Sequence, residues 1–119
     1  MRRKTEALRF ADVADAVDED RPLPPVHPGR ILKLDFLEPL GISESRLARE
    51  TFLLPTRINK IVRGERGISA DTALRLGKFF GTTPEFWLNL QARFDLESRS
   101  GDAELSADLA RIRSLRESA

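Results

Sequence analysis

Segment 55–63, with the sequence PTRINKIVR, contains the residues best suited to hydrogen-bonding chemistry with a large anionic partner. Its polar side chains can all donate hydrogen bonds and none is acidic: Thr56, Arg57, Asn59, Lys60 and Arg63. On a helical wheel of about 100° per residue, the isoleucines and the valine group on one side. Thr56, Lys60 and Arg63 point the opposite way, and Arg57 and Asn59 lie on the flanks.

Such a polar face could read the edges of DNA bases. A helix fits the major groove, where Lys or Arg donates to guanine, Asn pairs with adenine and the methyl group of Thr touches thymine. A solvated surface helix also presents a charged face, so the pattern alone leaves both interpretations open. The absence of acids between Leu54 and Gly64, with Arg46 and Arg49 just upstream, favours an anionic partner.

The composition indicates a soluble globular protein. The chain has 119 residues, 40% hydrophobic and 33% charged, enough for one compact domain with flanking segments. No apolar run approaches the roughly 20 residues of a membrane span, and the N-terminus does not resemble a secretory signal, so we expect a cytoplasmic protein without a membrane partner.

The net charge of +1 conceals an uneven distribution. Residues 6–20 have six acids against one base, a net charge of −5, whereas residues 43–66 have six bases against three acids, a net charge of +3. Residues 95–119 are acidic again, with a net charge of −2. The middle of the chain is therefore where an anion is expected to bind.

The sequence gives little indication of a catalytic or metal-binding site. The chain has no cysteine and a single histidine, His27, which before Pro28 is typical of a helix start rather than of a ligand or base. No nucleophile, base and orienting group are spaced as a catalytic set. We therefore expect a protein that is not an enzyme and that needs neither cofactor nor metal.

Prolines, glycines and capping residues predict an all-α fold of five short helices. Prolines 22, 24, 25 and 28 indicate an extended linker over 21–29, with Pro28 in the first turn of helix one. The other signals are N-caps, helix-opening prolines and terminating glycines: Ser43, Ser69, Thr83, Pro55, Pro84, Gly41, Gly81 and Gly101. Leu105, Leu109, Ile112 and Leu115 are spaced for an extra C-terminal helix. Helices two and three, 43–51 and 55–63, are joined by about three residues, as in a helix-turn-helix.

The runs HPGRILKLDFLEPLGIS, SRLARE and PTRINKIVRGERGISADTALRLGKFFGTTPEFWLNLQARFDL resemble the HigA-type antitoxins of the XRE (Cro/C1-like) helix-turn-helix superfamily. The resemblance covers about residues 27–96 and is most specific over 57–91. It implies a five-helix lambda-repressor-like fold and homodimeric binding to double-stranded DNA, the operator of the protein's own operon. It also implies neutralisation of a HigB-like toxin, similar to RelE-like endonucleases that cleave mRNA. The protein would be nucleoid-associated when bound to DNA.

The resemblance implies a role for individual residues. Segment 55–63 becomes the recognition helix, with three residues expected to read bases: Thr56, Arg57 and Lys60. Five residues are expected to hold phosphates: Ser43, Arg49, Asn59, Arg63 and Arg66. Phosphate contacts of this kind position the protein but do not read sequence.

Three residues depart from the superfamily pattern. Glu44 stands where glutamine often donates to phosphate, and its carboxylate would repel that phosphate. Phe52 stands where the turn usually has glycine, and Leu54 offers no capping oxygen. Either the Phe-Leu-Leu turn is packed more deeply than usual or it contacts a partner, and we expect it to be packed.

Regions outside the recognition helix are expected to form the dimer and the flanks. Trp87, Leu90 and Phe94 share a helix face and are candidates for the dimer interface, although for Trp87 a place in the core is favoured over one at the interface. We divide the chain into an acidic extension and linker at 1–26, the DNA-binding domain at 27–96 and a helical tail at 97–119. The extension is either loosely ordered, or binds the basic toxin, or folds over the recognition helix.

Two other functions remain open. The chain could be a free-standing XRE regulator without a toxin, which differs only in its genetic neighbourhood. Alternatively, Glu44 and the Phe52 turn could have abolished DNA binding, leaving a module that only binds the toxin.

Overall fold

The structure is a computed structural model that describes residues 23–118, with side chains as far as Arg116. Residues 1–22, and with them the predictions about the acidic extension, lie outside the described residues. We treat the continuous helical segments Pro28–Ile31, Leu32–Leu37 and Glu38–Leu40 as one helix, α1. The other helices are α2 (Glu44–Thr51), α3 (Pro55–Val62), α4 (Ala70–Phe80), α5 (Pro84–Ser100), α6 (Ala103–Arg111) and α7 (Leu115–Ser118). The predicted all-α fold class is confirmed.

The helices begin where the sequence places capping residues. The hydroxyl groups of Ser43, Ser69 and Thr83 each accept a backbone N–H three residues on, at 3.0, 3.3 and 3.1 Å. Gly41 and Gly81 end α1 and α4 in the left-handed conformation, with φ of 66° and 78°. The predicted starts and ends of these helices are therefore confirmed.

The middle of α1 is wound as a π-helix over Leu32–Leu37. Pro39 has no N–H to donate to the carbonyl of Asp35, and its ring would crowd that carbonyl in a regular α-helix. The N–H of Glu38 accordingly donates to the carbonyl of Lys33, five residues back. The wider turn accommodates Pro39 without ending the helix.

The core lies between α1, α4 and α5 on one side and the α2–α3 pair on the other. Its fully buried side chains include Leu32, Leu47, Ile58, Ile61, Leu76 and Trp87. The ring centroid of Trp87 lies 4.9 Å from that of Phe36 and 5.0 Å from that of Phe86, in tilted and edge-on contacts. This cluster fixes the elements against which the two short helices pack.

Gly29 brings α1 directly against the end of α3. A Cβ atom built on Gly29 would lie only 1.7 Å from the carbonyl oxygen of Ile61, so no other residue fits without moving one helix. The backbone of α3 therefore has a fixed position relative to α1.

The C-terminal segment differs from the prediction of one helix through Leu115. Helix α6 ends at Arg111, because Ile112 takes an extended conformation with ψ of 126°. Helix α6 packs against α5, but several apolar side chains are exposed at this end: Leu96, Leu109, Ile112 and Leu115. Within residues 23–118, no helix is both long and apolar enough to cross a membrane.

Candidate nucleic-acid interface

Helix α3, which we expect to be the recognition helix, has the two faces that its sequence predicts. Ile58 and Ile61 are fully buried in the core, whereas Thr56, Lys60 and Arg63 are exposed. Lys60 makes no ion pair within residues 23–118. Its ammonium group is consequently available to an external anion.

Arg57 lies at the flank of α3, beside the start of α4. Its Nη1 atom is 3.6 Å from Oδ2 of Asp71, and 29% of its side chain is exposed. The same Asp71 oxygen accepts from Nε of Arg75 at 3.0 Å. To reach a base edge, as the sequence predicts, Arg57 has to leave Asp71. This costs little, since an ion pair near the surface contributes about 1 kcal/mol or less.

Asn59 and Glu44 contact each other across the two helices. The amide Nδ2 of Asn59 donates a hydrogen bond to Oε1 of Glu44, at the start of α2. Asn59, which we expected at a phosphate, thus has one donor engaged within the protein. The Glu44 carboxylate is held beside the polar face, where its charge repels a DNA backbone.

The remaining phosphate candidates lie on α2 and after α3. Ser43 uses its hydroxyl oxygen to cap α2, and Arg49 is exposed on the same helix. Neither Arg49 nor Arg66 forms an ion pair within the described part of the chain, whereas Nε of Arg63 lies 3.2 Å from Oε2 of Glu65. Among these three arginines, Arg63 is the one whose charge an acid of the described residues partly screens.

The turn between α2 and α3 is a Schellman motif with phenylalanine in the position usually held by glycine. The N–H of Leu53 donates to the carbonyl of Ala48 at 2.9 Å, and the N–H of Phe52 donates to that of Arg49 at 3.4 Å. Phe52 has a φ of 59°, the left-handed conformation that glycine adopts without strain.

Our expectation that this turn is packed was wrong for two of its three residues. Phe52 is 87% exposed and Leu54 is 70% exposed, whereas Leu53 is 9% exposed and anchors the turn in the core. The reason is local geometry. The Schellman motif turns Leu53 inward, so the residues on either side point outward.

Arg75 of α4 holds the turn in place, a role that the sequence analysis missed. Its Nη1 atom donates to the carbonyl oxygens of Thr51 at 2.9 Å and Phe52 at 3.4 Å. These carbonyls lie at the C-terminal end of α2, where the helix dipole also favours a cation. The spacing of Asp71 and Arg75 predicts their ion pair, but no sequence signal indicates that α4 reaches the turn.

The assignment of Trp87 to a dimer interface is corrected by its burial. The side chain is 0% exposed, and its indole N–H donates to Oγ1 of Thr82 at 2.8 Å, so no part of it remains for a partner. Leu90 and Phe94 are partly buried, and the Phe94 ring meets the edge of His27 at a centroid distance of 4.8 Å. Leu90 and Phe94 keep some exposed surface and stay candidates for the dimer interface.

His27 is structural, as its position before Pro28 predicts. Its Nδ1 accepts the N–H of Gly29 at 2.9 Å, which caps α1. Burial lowers the pKa of His27 below its usual value, while the charge of Asp95 acts in the opposite direction. Residues 23–118 contain no cluster of His, Asp or Glu that could hold a metal ion.

Comparisons with known proteins agree with this architecture. A family model described as helix-turn-helix matches residues 35–87, from within α1 to the start of α5. The virulence-associated protein I of Dichelobacter nodosus is 46% identical over 82 residues, which cover 69% of this chain and 76% of that protein. Antitoxin HigA-1 of Vibrio cholerae is 39% identical over 72 residues, covering 60% and 68% respectively.

A solved structure shows the same fold in the presence of DNA. The Pseudomonas aeruginosa antitoxin HigA with the higBA promoter has a TM-score of 0.70 and 42% identity, covering 76% of this chain and 98% of that one. Fold and sequence together define a helix-turn-helix protein. More narrowly, the chain belongs to the XRE family and resembles its HigA-type antitoxins, a group of DNA-binding regulators and not of enzymes.

Proposed function

We propose that this protein binds the operator of its own operon as a homodimer, represses transcription and neutralises a cognate HigB-like toxin that cleaves mRNA. One observation carries the DNA-binding part of the proposal. Helix α3 is fixed by its buried isoleucines and exposes Thr56 and Lys60 on its outer face, to which α3 itself contributes no acid. Lys60 makes no ion pair within residues 23–118. The Pseudomonas aeruginosa antitoxin HigA, which has the same fold and was solved with the higBA promoter, supports this assignment.

The polar side chains divide into those that read bases and those that position the protein. Thr56 and Lys60 lie on the outer face of α3 and would contact base edges, joined by Arg57 once it leaves Asp71. Phosphates would be held by Ser43, Arg49, Arg63 and Arg66, and by the remaining hydrogen-bonding capacity of Asn59. Such a protein acts in the cytoplasm, on the nucleoid when it is bound to its operator.

The small number of base pairs that one recognition helix can contact supports a homodimer. One recognition helix reads only a few base pairs, and a two-fold dimer places two of them about 34 Å apart on one face of the duplex. The exposed leucines and isoleucine of α5, α6 and the C-terminal segment, together with Leu90 and Phe94, provide apolar surface for this contact. We retain the division into 1–26, 27–96 and 97–119, with the tail contributing to the dimer.

Neutralisation of a toxin rests on the family and on charge. The antitoxins among the relatives carry that function in their names. The acidic stretch at residues 6–20, with a net charge of −5, is suited to a basic ribosome-directed endonuclease. A basic toxin encoded beside this gene, co-purifying with the protein, would support this part of the proposal. Its absence would favour a free-standing regulator.

The DNA-reading assignment is tested by comparing two alanine variants on operator and random duplexes. We expect Lys60→Ala to lose affinity for the operator and most of its preference over random DNA, because a base-reading pair contributes about 1–3 kcal/mol of discrimination. Arg63→Ala should weaken binding to both duplexes alike, since phosphates carry no sequence information. If Lys60→Ala keeps the full preference, Lys60 does not read bases.

Glu44 favours one alternative, a toxin-binding module without DNA function. Its carboxylate lies at the N-terminal start of α2, where a phosphate would approach, and Asn59 is hydrogen-bonded to it. In that case the wild-type protein would bind its toxin and show no salt-dependent DNA affinity. Recovery of operator binding in Glu44→Gln would identify the carboxylate as the cause.

A further inference from the structure

The N-terminal end of α3 presents an exposed apolar surface beside the polar outer face of the helix. Leu54 is 70% exposed, and Pro55 and Thr56 are exposed as well. Their side chains offer an isobutyl group, a ring and a methyl group in direct succession. We call these three residues the apolar tip.

Local folding does not explain the leucine at this position. Leu54 is the N-cap residue of α3, with φ of −67° and ψ of 139°, and no side chain caps the helix. Serine, threonine, asparagine or aspartate at an N-cap stabilises a helix by about 1 kcal/mol over an apolar residue. The leucine therefore lacks a capping oxygen and also remains in water.

The charges around the apolar tip indicate what covers it. Lys60 lies on the same face of α3, about one turn beyond Thr56, and makes no ion pair within the described residues. Arg49 on α2 also makes no ion pair within residues 23–118. An apolar surface that shares a helix face with a cation is complementary to a ligand that combines methyl groups with negative charge.

Double-stranded DNA has both properties in its major groove. The 5-methyl group of thymine is the apolar group on the base edges there, and the phosphates border the groove on both sides. In a helix-turn-helix, the N-terminal residues of the recognition helix are the ones that reach the bases. This end of α3 is the apolar tip.

We propose that the apolar tip, and Leu54 in particular, recognises thymine methyl groups and makes thymine a preferred base in each operator half-site. The inference rests on the proposed DNA-binding function and assigns base specificity to a residue that has no hydrogen-bonding group. Lys60 would then recognise a neighbouring base pair by hydrogen bonding. Leu54 recognises the thymine methyl group by van der Waals contact, which excludes water from between the two groups.

Replacing individual operator thymines with deoxyuridine removes only the methyl group. With the full-length protein and fluorescence anisotropy, we expect wild type to bind about fourfold more weakly for each contacted methyl lost, the effect of one buried methyl group. Leu54→Ala should bind the thymine and deoxyuridine duplexes equally. Leu54→Ser should do the same, and its new N-cap keeps α3 stable. Leu74→Ala, which truncates a 60% exposed leucine on α4, should retain the fourfold ratio.

Two results would overturn the inference while leaving DNA binding intact. One is a wild-type protein that prefers its operator but binds the deoxyuridine duplexes as tightly. The other is a Leu54→Ala variant with the wild-type ratio, which would assign the methyl contact to a different residue. If wild type shows no preference for operator over shuffled DNA, the proposed function itself fails, and the inference with it.

Discussion

The two ends of the recognition helix are held in different ways. At its C-terminal end, α3 meets Gly29 at a distance that admits no side chain, and Gly64 begins the next loop with φ of 79°. At its N-terminal end, the left-handed position is occupied by Phe52 with φ of 59°, and the side chains of Phe52 and Leu54 point into water. Packing fixes the first end, whereas the turn at the second end is tied to α4 by one arginine.

The difference separates the part of α3 that maintains the fold from the part that faces DNA in the proposed function. A backbone fixed by close contact tolerates little change, since protein interiors are densely packed. An exposed turn held by hydrogen bonds tolerates substitution and can change the residues that meet DNA. Variation in base specificity is therefore expected at the N-terminal end.

The largest effect is expected at the packed end. Gly29→Ala places a methyl group where the Ile61 carbonyl stands, so α1 and α3 have to separate, and we expect a loss of about 3 kcal/mol or more in unfolding free energy. Chemical denaturation of wild type and Gly29→Ala measures this difference in unfolding free energy. Gly101→Ala is the matched control, because its methyl group would meet no atom within 4 Å. Equal stability of the two variants would contradict the close contact.

A smaller effect is expected from Arg75→Met at the other end. The carbonyl groups of Thr51 and Phe52 lose their charged donor, which should cost about 1 kcal/mol in stability and reduce the preference for operator DNA as the turn loosens. Arg93→Met serves as the control, since within residues 23–118 its guanidinium makes a single, exposed ion pair, with Glu97 at 3.2 Å. An unchanged operator preference in Arg75→Met would show that the turn keeps its position without this contact.

Phe52 and Gly64 both have a positive φ, one before α3 and the other after it, so substitutions at these two positions compare the two ends directly. Phe52→Gly removes the left-handed strain of about 1–2 kcal/mol and adds the entropy cost of glycine, leaving a gain of about 0.5 to 1 kcal/mol. The exposed ring contributes little packing to offset this. Gly64→Ala should lose about 1 kcal/mol, because alanine would have to adopt the positive φ of 79° that glycine takes without strain. Thermal unfolding of both variants measures the opposite signs.

The smallest expected effect is a pH dependence of the unfolding free energy that arises from His27, at the packed end. The pKa of His27 is lowered by burial below its usual 6.5, so the folded protein holds the neutral ring that caps Gly29. This contribution is complete above pH 6.5 and is lost as the pH falls through the lower folded pKa, since the unfolded chain protonates first. Denaturation between pH 7 and 5.5 should show the decrease, and His27→Asn, which retains a capping oxygen, should reduce it.

Capping residues, prolines and the spacing of isoleucines were sufficient to predict the helices that carry the interface. Ser43, Pro55 and Ser69 act within a few residues, so their effects can be read from local sequence. The burial of Trp87 and the reach of Arg75 to the turn depend on how α4 and α5 pack, which no single sequence displays.

The Phe52 turn shows where pattern reasoning led to the wrong expectation. Three consecutive apolar residues predict burial, but the Schellman geometry alternates their directions and buries only Leu53. Glu44 and Asn59, fifteen residues apart, were assessed separately from sequence, although their hydrogen bond makes them one unit.

The central claim is tested most directly by fluorescence anisotropy of the full-length protein on DNA from immediately upstream of its own gene and on a shuffled duplex, at two salt concentrations. We predict tighter binding to the upstream DNA. Affinity should fall by about 0.9 log units per log unit of salt for each phosphate neutralised. Equal or absent binding to both duplexes would contradict the account and leave capture of a toxin as the function to test.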